Sequence, residues 1–411
     1  MLGIMRFILL IIATVGSLRL LFGCGAETSD ESLRLRVIWE RDPQHESTVS
    51  WLTPASVPSS KIYYDTASHA AIDDYQWQME PESQAIAESR LFSQRALPMQ
   101  HHARLLNLQP GTTYYFRVAR TKGPSEEFSF RTAPEGNRVT LLFGGDSRSD
   151  RSMRRKMNEL VARLMQADNE IAGLVHGGDY VADGKNWAEW SEWLTDQEEL
   201  VRDGSRLLPI IPTRGNHETD KELFNQIWNR PGEGKDYFAQ RYGKAGLLIL
   251  NTEESLSGDQ FQWMESQLQG LKDAHWIIAN YHKPAYPVVK MPSAARGIWV
   301  PLFEKYLVDL VFESDGHAFK RTTPIFQEAK DELRGIIYAG EGGMGVKQRT
   351  PQTSLWYIAD GGIALKAHHV LKLRIDEQNA VLETFGEDMQ ILDSYTLRPK
   401  LALRQQTEVK P

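Results

Sequence analysis

Hydrophobic and polar positions change period partway along the chain. From 32 to 134 short runs dominate, several of them alternating: RLRVIWE, STVSWLTP, KIYYDT, TTYYFRVAR and EEFSFRTAP, with turn-forming residues between them. Strands at this spacing predict a β-sandwich with Trp39, Trp51, Tyr114 and Phe116 in its core. The breaker-rich stretch Thr132-Ala133-Pro134-Glu135-Gly136-Asn137 follows, and after it strand-like runs alternate with segments of helical period. RRKMNELVARLMQA sets Met157, Leu160, Val161, Leu164 and Met165 on one face. NWAEWSEWL does so with Trp187, Trp190 and Leu194, and DQFQWMESQLQGL with Phe261, Met264 and Leu268. This alternation predicts a layered α/β domain over 138–395. GIIYAG, HHVLKLRI and AVLETFG return to strands near its end, and the polar residues 396–411 are expected to fray as a tail.

Most of the chemistry is carried by five apolar runs that end in polar groups. VTLLFGGD reaches Asp146 and AGLVHGGD reaches Asp179. LPIIPTRGNHE carries Asn216 and His217, WIIANYH ends at His282, and VDLVFESDGH carries Asp315 and His317. Short, β-branched or leucine-rich runs read as strands buried on both faces, and ligands collect beyond the carboxyl ends of such strands. Taken singly, Asp146 and Asp179 read as caps of the helices that follow; beside GNHE and His282 the metal reading prevails. Two cations about 3.5–4 Å apart neutralise a phosphate ester, activate a water and hold the leaving oxygen, and they need such a set of Asp, Asn and His.

Composition narrows the alternatives. The chain has 411 residues and a formal net charge of −7, so no basic excess points to nucleic acid. Cys24 is the only cysteine, which excludes a disulfide framework and a thiol nucleophile in the mature fold. Residues 1–24 have Arg6, the apolar run FILLIIATVGSL and a closing LFGC, the pattern of a secretory signal; GAETSDE, 25–31, reads as a tether. His176, His275, His368 and His369 lie in strand-like runs and read as structural, as do His101 and His102 in the sandwich. Trp187, Trp190 and Trp193 read as packing.

Three resemblances sharpen this reading. LLNLQPGTTYYFRVAR is similar to the region around the sixth strand of fibronectin type III-like domains. LFGC resembles a bacterial lipoprotein signal, which implies lipidation at Cys24, export and a membrane anchor facing the periplasm or cell exterior. The order GD…GD…GNHE…H…GHxH resembles the calcineurin-like metallophosphoesterases, in the purple acid phosphatase-like branch. That implies a β-sandwich flanked by helices behind the all-β domain. It also implies two metal ions (Fe, Mn, Mg or Zn) and hydrolysis of a small phosphorylated substrate by a metal-bound hydroxide.

Carried over motif by motif, Asp146 matches a ligand of the first metal and Asp179 the bridging ligand. Asn216 and His282 match ligands of the second metal, and His217 the histidine that contacts phosphate and can protonate the leaving group. VDLVFESDGHAFKRTTPI aligns so that His317 is a ligand of the first metal and Asp315 replaces a histidine ligand of the second; the other register would end the motif at Phe319. Arg148 stands where many members have a histidine, and it could present its planar fork to a phosphate oxygen. Ala182 replaces the charge-transfer tyrosine, so no purple colour is expected, and Tyr180 should point elsewhere. Asp315 makes the second site more oxygen-rich, which favours Mn, Fe or Mg. Gly340–Gly345 reads as a flexible loop resembling one near the family's metal site. A phosphodiesterase or nucleotidase on the same centre, and a degenerate, non-catalytic surface binding protein, remain the alternatives to a monoesterase.

Overall fold

A computed structural model describes residues 32–57, 60–87, 97–120, 122–229 and 235–407. The signal, tether and Cys24 lie outside the described residues.

The strands expected at the five apolar runs form: Val139–Gly144, Ile171–His176, Ile210–Pro212, Trp276–Asn280 and Leu310–Glu313. The first three lie side by side and parallel in one sheet. The last two lie parallel in a second sheet, with Ala245–Ile249 and Ile337–Gly340 as their neighbours. The inner faces of the two sheets share one core in which Phe143 stacks on Phe312, ring centroids 3.6 Å apart.

Helices cover the outer faces. Arg151–Ala167 buries Met157, Leu160, Val161, Leu164 and Met165 against Leu142, Leu174 and Val370, so the helical period reads through to packing. Asp150 starts this helix by accepting a hydrogen bond from Met153 N. Trp187, Trp190 and Trp193 are buried in an aromatic cluster with Tyr180, Phe224 and Trp228. In the helix Asp259–Gly270, Met264 and Leu268 are buried and Phe261 partly so.

One finding adds to the expectations and one corrects them. The period change near residue 135 does not interrupt the sheets. The N-terminal strand Arg36–Ile38 pairs in parallel with Ile210–Pro212, so one ten-stranded sheet runs from Ile391–Leu397 at one edge to Glu82–Ala85 at the other. In return Arg206–Leu207 joins the opposite sheet of the N-terminal sandwich through Arg206 and Ser129. Nor does the chain fray from 396. Strand Ile391–Leu397 ends the large sheet, and the helix Leu401–Thr407 docks through Arg404. Its guanidinium, 2.7 Å from Leu307 O, 2.8 Å from Ala274 O and 3.2 Å from Asp309 Oδ2, is buried because every contact is an acceptor.

Of the histidines read as structural, His101, His102, His176 and His369 are buried and hydrogen-bonded, whereas His275 and His368 are half-buried. His102 accepts from Ser50 Oγ at 2.6 Å and donates to Gln226 O at 2.8 Å, tying the N-terminal sheet to the helix Lys221–Ile227. His176 stacks on Tyr180 and bonds Ser147 Oγ at 3.0 Å. Burial pushes His102 and His176 down to about 3 and His369 down to about 4. The unfolded chain takes up those protons near pH 6.5. Stability is therefore complete above that pH and is lost as pH falls towards 3, by at most about 1.4 kcal/mol per pH unit for each histidine. Calorimetric melting temperatures should drop steadily between about pH 6.5 and 4; a flat profile there would contradict the burial argument.

Candidate metal centre

The polar groups at the strand ends converge at the carboxyl end of both sheets. Asp146, Asp179 and Asn216 come from the first sheet and His282, Asp315 and His317 from the second. The turns are tight enough to touch through their backbones. Asp146 N donates to Gly178 O at 2.9 Å, and Ser147 N to Asp179 O at 3.0 Å. A side chain at Gly215 would come within 2.4 Å of Asp179 N, so the GN of GNHE admits only hydrogen there. Asp146, Asp179, Asp315, His317 and Glu341 all have φ between 56° and 97°, a region that non-glycine residues seldom occupy. Backbone strain gathered in this way is typical of functional sites.

Ligand atoms of Asp146, Asp179 and His282 lie within 4.8 Å of one another, and all three residues are buried. His282 Nδ1 donates to Gly177 O at 2.8 Å, which turns Nε2 towards Asn216 Oδ1 at 3.0 Å, Asp179 Oδ1 at 3.2 Å and Asp315 Oδ1 at 3.6 Å. An imidazole nitrogen facing three oxygens is the donor set of a metal site, and the carbonyl behind it is the usual orienting partner. Burial alone would lower the His282 pKa; Asp179, then Asp146 and Asp315, override it and hold the ring well above the ordinary histidine range.

His317 Nε2 lies 3.1 Å from Asp146 Oδ1, yet that buried oxygen has no hydrogen-bond partner. A buried anionic oxygen with no donor is costly and fits a cation ligand. Gly342 closes the far side: a Cβ there would meet Asp146 Oδ2 at 2.1 Å. The segment Glu341–Val346 is buried against the site, not a free loop, because Gly343 N and Met344 N both donate to Gly145 O. The donor set fits metal: Asp146, Asp179 and His282 form one group of possible ligands, with Asn216 and Asp315 beside His282 Nε2 and His317 beside Asp146.

The remaining sequence candidates are also placed. His217 Nδ1 is 2.6 Å from Ala182 O, which can only accept, so Nδ1 carries the hydrogen and Nε2 faces the site, 3.9 Å from Asp179 Oδ2. Arg148 donates from Nε to Asp179 Oδ2 at 3.0 Å, and its Nη2 lies 3.4 Å from His317 Nε2. Phe319 points into the core against His369, so the register with Asp315 and His317 is the one that brings polar groups to the centre. Tyr180 is wholly buried in the aromatic cluster and away from the ligands.

Two residues were missed by sequence reasoning. Glu218, the last residue of GNHE, is buried and accepts from Asp179 N, Tyr180 N and Gly215 N at 2.8, 3.0 and 2.9 Å. Its place in GNHE was the available signal. Lys290 bonds Asp315 Oδ1 from a segment with no periodic pattern, and nothing in the sequence marked it.

Comparison with known proteins agrees with this geometry. Residues 33–132 match the family described as purple acid phosphatase, N-terminal domain, and residues 132–319 match calcineurin-like phosphoesterase. A probable purple acid phosphatase 20 of Arabidopsis thaliana is 23% identical over 345 residues, 75% of this chain and 74% of that protein. The Fe(3+)-Zn(2+) purple acid phosphatase 12 of the same plant is 24% identical over 70% of this chain and 64% of its own length, so the chain spans somewhat less than two thirds of it. The structure of a purple acid phosphatase from yellow lupin (Lupinus luteus) seeds superposes with a TM-score of 0.75 at 18% identity, covering 89% of this chain and 74% of that one; at this identity the likeness is one of fold. Residues 132–319 thus resemble a calcineurin-like phosphoesterase domain, with a stretch similar to a purple acid phosphatase N-terminal domain in front of it at 33–132.

Proposed function

We propose that this protein hydrolyses small phosphate monoesters at a two-metal centre held by Asp146, Asp179, Asn216, His282, Asp315 and His317. The observation that carries the reading is the convergence from two sheets of Asp146, Asp179 and His282, with ligand atoms within 4.8 Å of one another. Asn216 and Asp315 face His282 Nε2, and His317 faces Asp146 Oδ1, a buried oxygen without a hydrogen-bond partner. When bound, the ions supply the positive charge that a phosphate ester needs for attack by water. Asn216 and His282 fix one side of the ester's seat. His217, with Nδ1 anchored on Ala182 O, offers Nε2 to the leaving oxygen. Both relatives described above are named as purple acid phosphatases, and one of those names carries Fe(3+) and Zn(2+). Here Ala182 stands in place of the tyrosine and Asp315 adds an oxygen ligand, which argues for a colourless protein that takes Mn, Fe or Mg. The test is turnover of a generic monoester and a generic diester by metal-free protein supplied with Mn²⁺, Fe, Mg²⁺ or Zn²⁺. Turnover with none of them would favour a degenerate binding protein.

Arg148 is proposed to hold a phosphate oxygen, because its guanidinium already lies between Asp179 and His317 and is mostly buried. Arg148→Ala should raise KM for a monoester about tenfold, the value of one charge-assisted hydrogen bond, with metal content unchanged. An unaltered KM would remove Arg148 from the substrate site.

Export and anchoring through a lipid on Cys24 are proposed from the LFGC ending alone. Among the described residues no helix is long and apolar enough to cross a membrane. Mass spectrometry of the membrane fraction would find a diacylglyceryl group on Cys24, and a Cys24→Ser variant should lose it.

A further inference from the structure

Lys290 sits on the segment between His282 and the helix Ala295–Ile298, and that segment is firmly held. Val288 N donates to both oxygens of the buried Glu341 carboxylate, at 3.1 and 3.0 Å. Gln352 N donates to Val288 O at 2.7 Å, and Tyr357 Oη donates to Pro287 O. Glu341 also accepts from His317 N through its own carbonyl, at 2.6 Å, so one residue fixes both the lysine segment and a proposed ligand. From this support the Lys290 ammonium reaches Asp315 Oδ1, the carboxylate that stands in a histidine's place.

Two features set it apart from a surface ion pair. Asp315 is buried and is 3.6 Å from His282 Nε2, whereas the lysine side chain keeps 36% of its exposure and so lies on the open side of the centre. Among the described residues only Arg148 and Lys290 offer a lysine or arginine charge paired with a proposed ligand carboxylate, Asp179 and Asp315 respectively. They come from different sheets of the sandwich and therefore reach the centre from different sides. A monoester brings a dianion to such a site and a diester a monoanion, so a fixed cation at its mouth favours the monoester.

We propose that Lys290 is a specificity-determining residue, whose ammonium, held beside Asp315, selects dianionic phosphate monoesters over diesters. The inference rests on the phosphoesterase reading above. The test uses the Mn²⁺-loaded protein and the variants Lys290→Met and Lys290→Arg. Binding of inorganic phosphate by titration calorimetry should weaken about tenfold in Lys290→Met and by less than about threefold in Lys290→Arg. The ratio of kcat/KM for a monoester to that for a diester should fall by about threefold or more in Lys290→Met and recover in Lys290→Arg. A wild-type protein that turns over neither ester would overturn the phosphoesterase reading and take this inference with it. Wild-type turnover with an unchanged ratio and unchanged phosphate affinity in Lys290→Met would overturn the inference alone. A Lys290→Met protein that only melts at lower temperature, with ratio and affinity intact, would assign the lysine a structural role instead.

Discussion

Asp179→Asn is expected to reduce metal-dependent turnover by about 10³-fold or more, the loss that follows from several kcal/mol of transition-state charge stabilisation. Asp179 Oδ1 faces His282 Nε2 at 3.2 Å and accepts from His217 N at 3.0 Å, while Oδ2 accepts from Arg148 Nε at 3.0 Å. Burial would raise its pKa, but His282 first and then His217 pull it well below the usual carboxylate range, so it stays an anion in the interior. Asparagine keeps the shape and removes the charge. Its amide also puts N–H groups against either His217 N or Arg148 Nε, donor against donor, whichever way it turns. Both effects weaken a ligand that the two ions would share. The check is kcat/KM on a monoester together with metal content per chain by elemental analysis. Full activity with unchanged metal content would sink the two-metal reading.

The parts of this site that were legible in the sequence are those that end apolar runs. A strand buried on both faces is written in consecutive β-branched and leucine residues, and its last polar residue must then stand at the carboxyl edge; Asp146, Asp179 and His282 follow directly. Asp315 and His317 needed the flanking residues as well, since the loop between strand and motif could be aligned in two ways. What stayed hidden works through the backbone or through space. Strand pairing between Ile38 and Ile210 leaves no periodic signal, so the period change near 135 suggested a boundary that the hydrogen bonds cross. Lys400 and Arg404 looked like solvated tail residues, yet both are buried on the acceptors Val308 O, Leu307 O and Ala274 O. Polarity predicts exposure only where no acceptor waits inside. Lys290 and Glu341 sit in irregular segments, where neither period nor composition says which way a side chain reaches.

Glu218 shows the consequence of this hidden layer, and Glu218→Gln should give the second largest loss. Its carboxylate gathers three backbone donors from two turns: Asp179 N and Gly215 N on Oε2, and Tyr180 N on Oε1. It thereby sets the left-handed turn at Asp179, φ 58°, and holds the Gly215 turn that presents Asn216. Burial, then the charge of Asp179, push its carboxyl up, and those donors pull it back towards the anion. Glutamine fits the space but must aim its NH₂ at one or more of the N–H groups, leaving buried donors unpaired at about 1–3 kcal/mol each. The turn then relaxes and moves the bridging carboxylate and the asparagine together. Loss of outer partners of metal ligands typically costs about 10- to 100-fold in affinity or activity, and here two ligands share one partner, so a loss near the upper end is expected. The discriminating readout is metal affinity measured beside melting temperature. Weaker binding of both ions with a lower melting temperature is the predicted result, whereas a lower melting temperature with metal affinity intact would confine Glu218 to the fold.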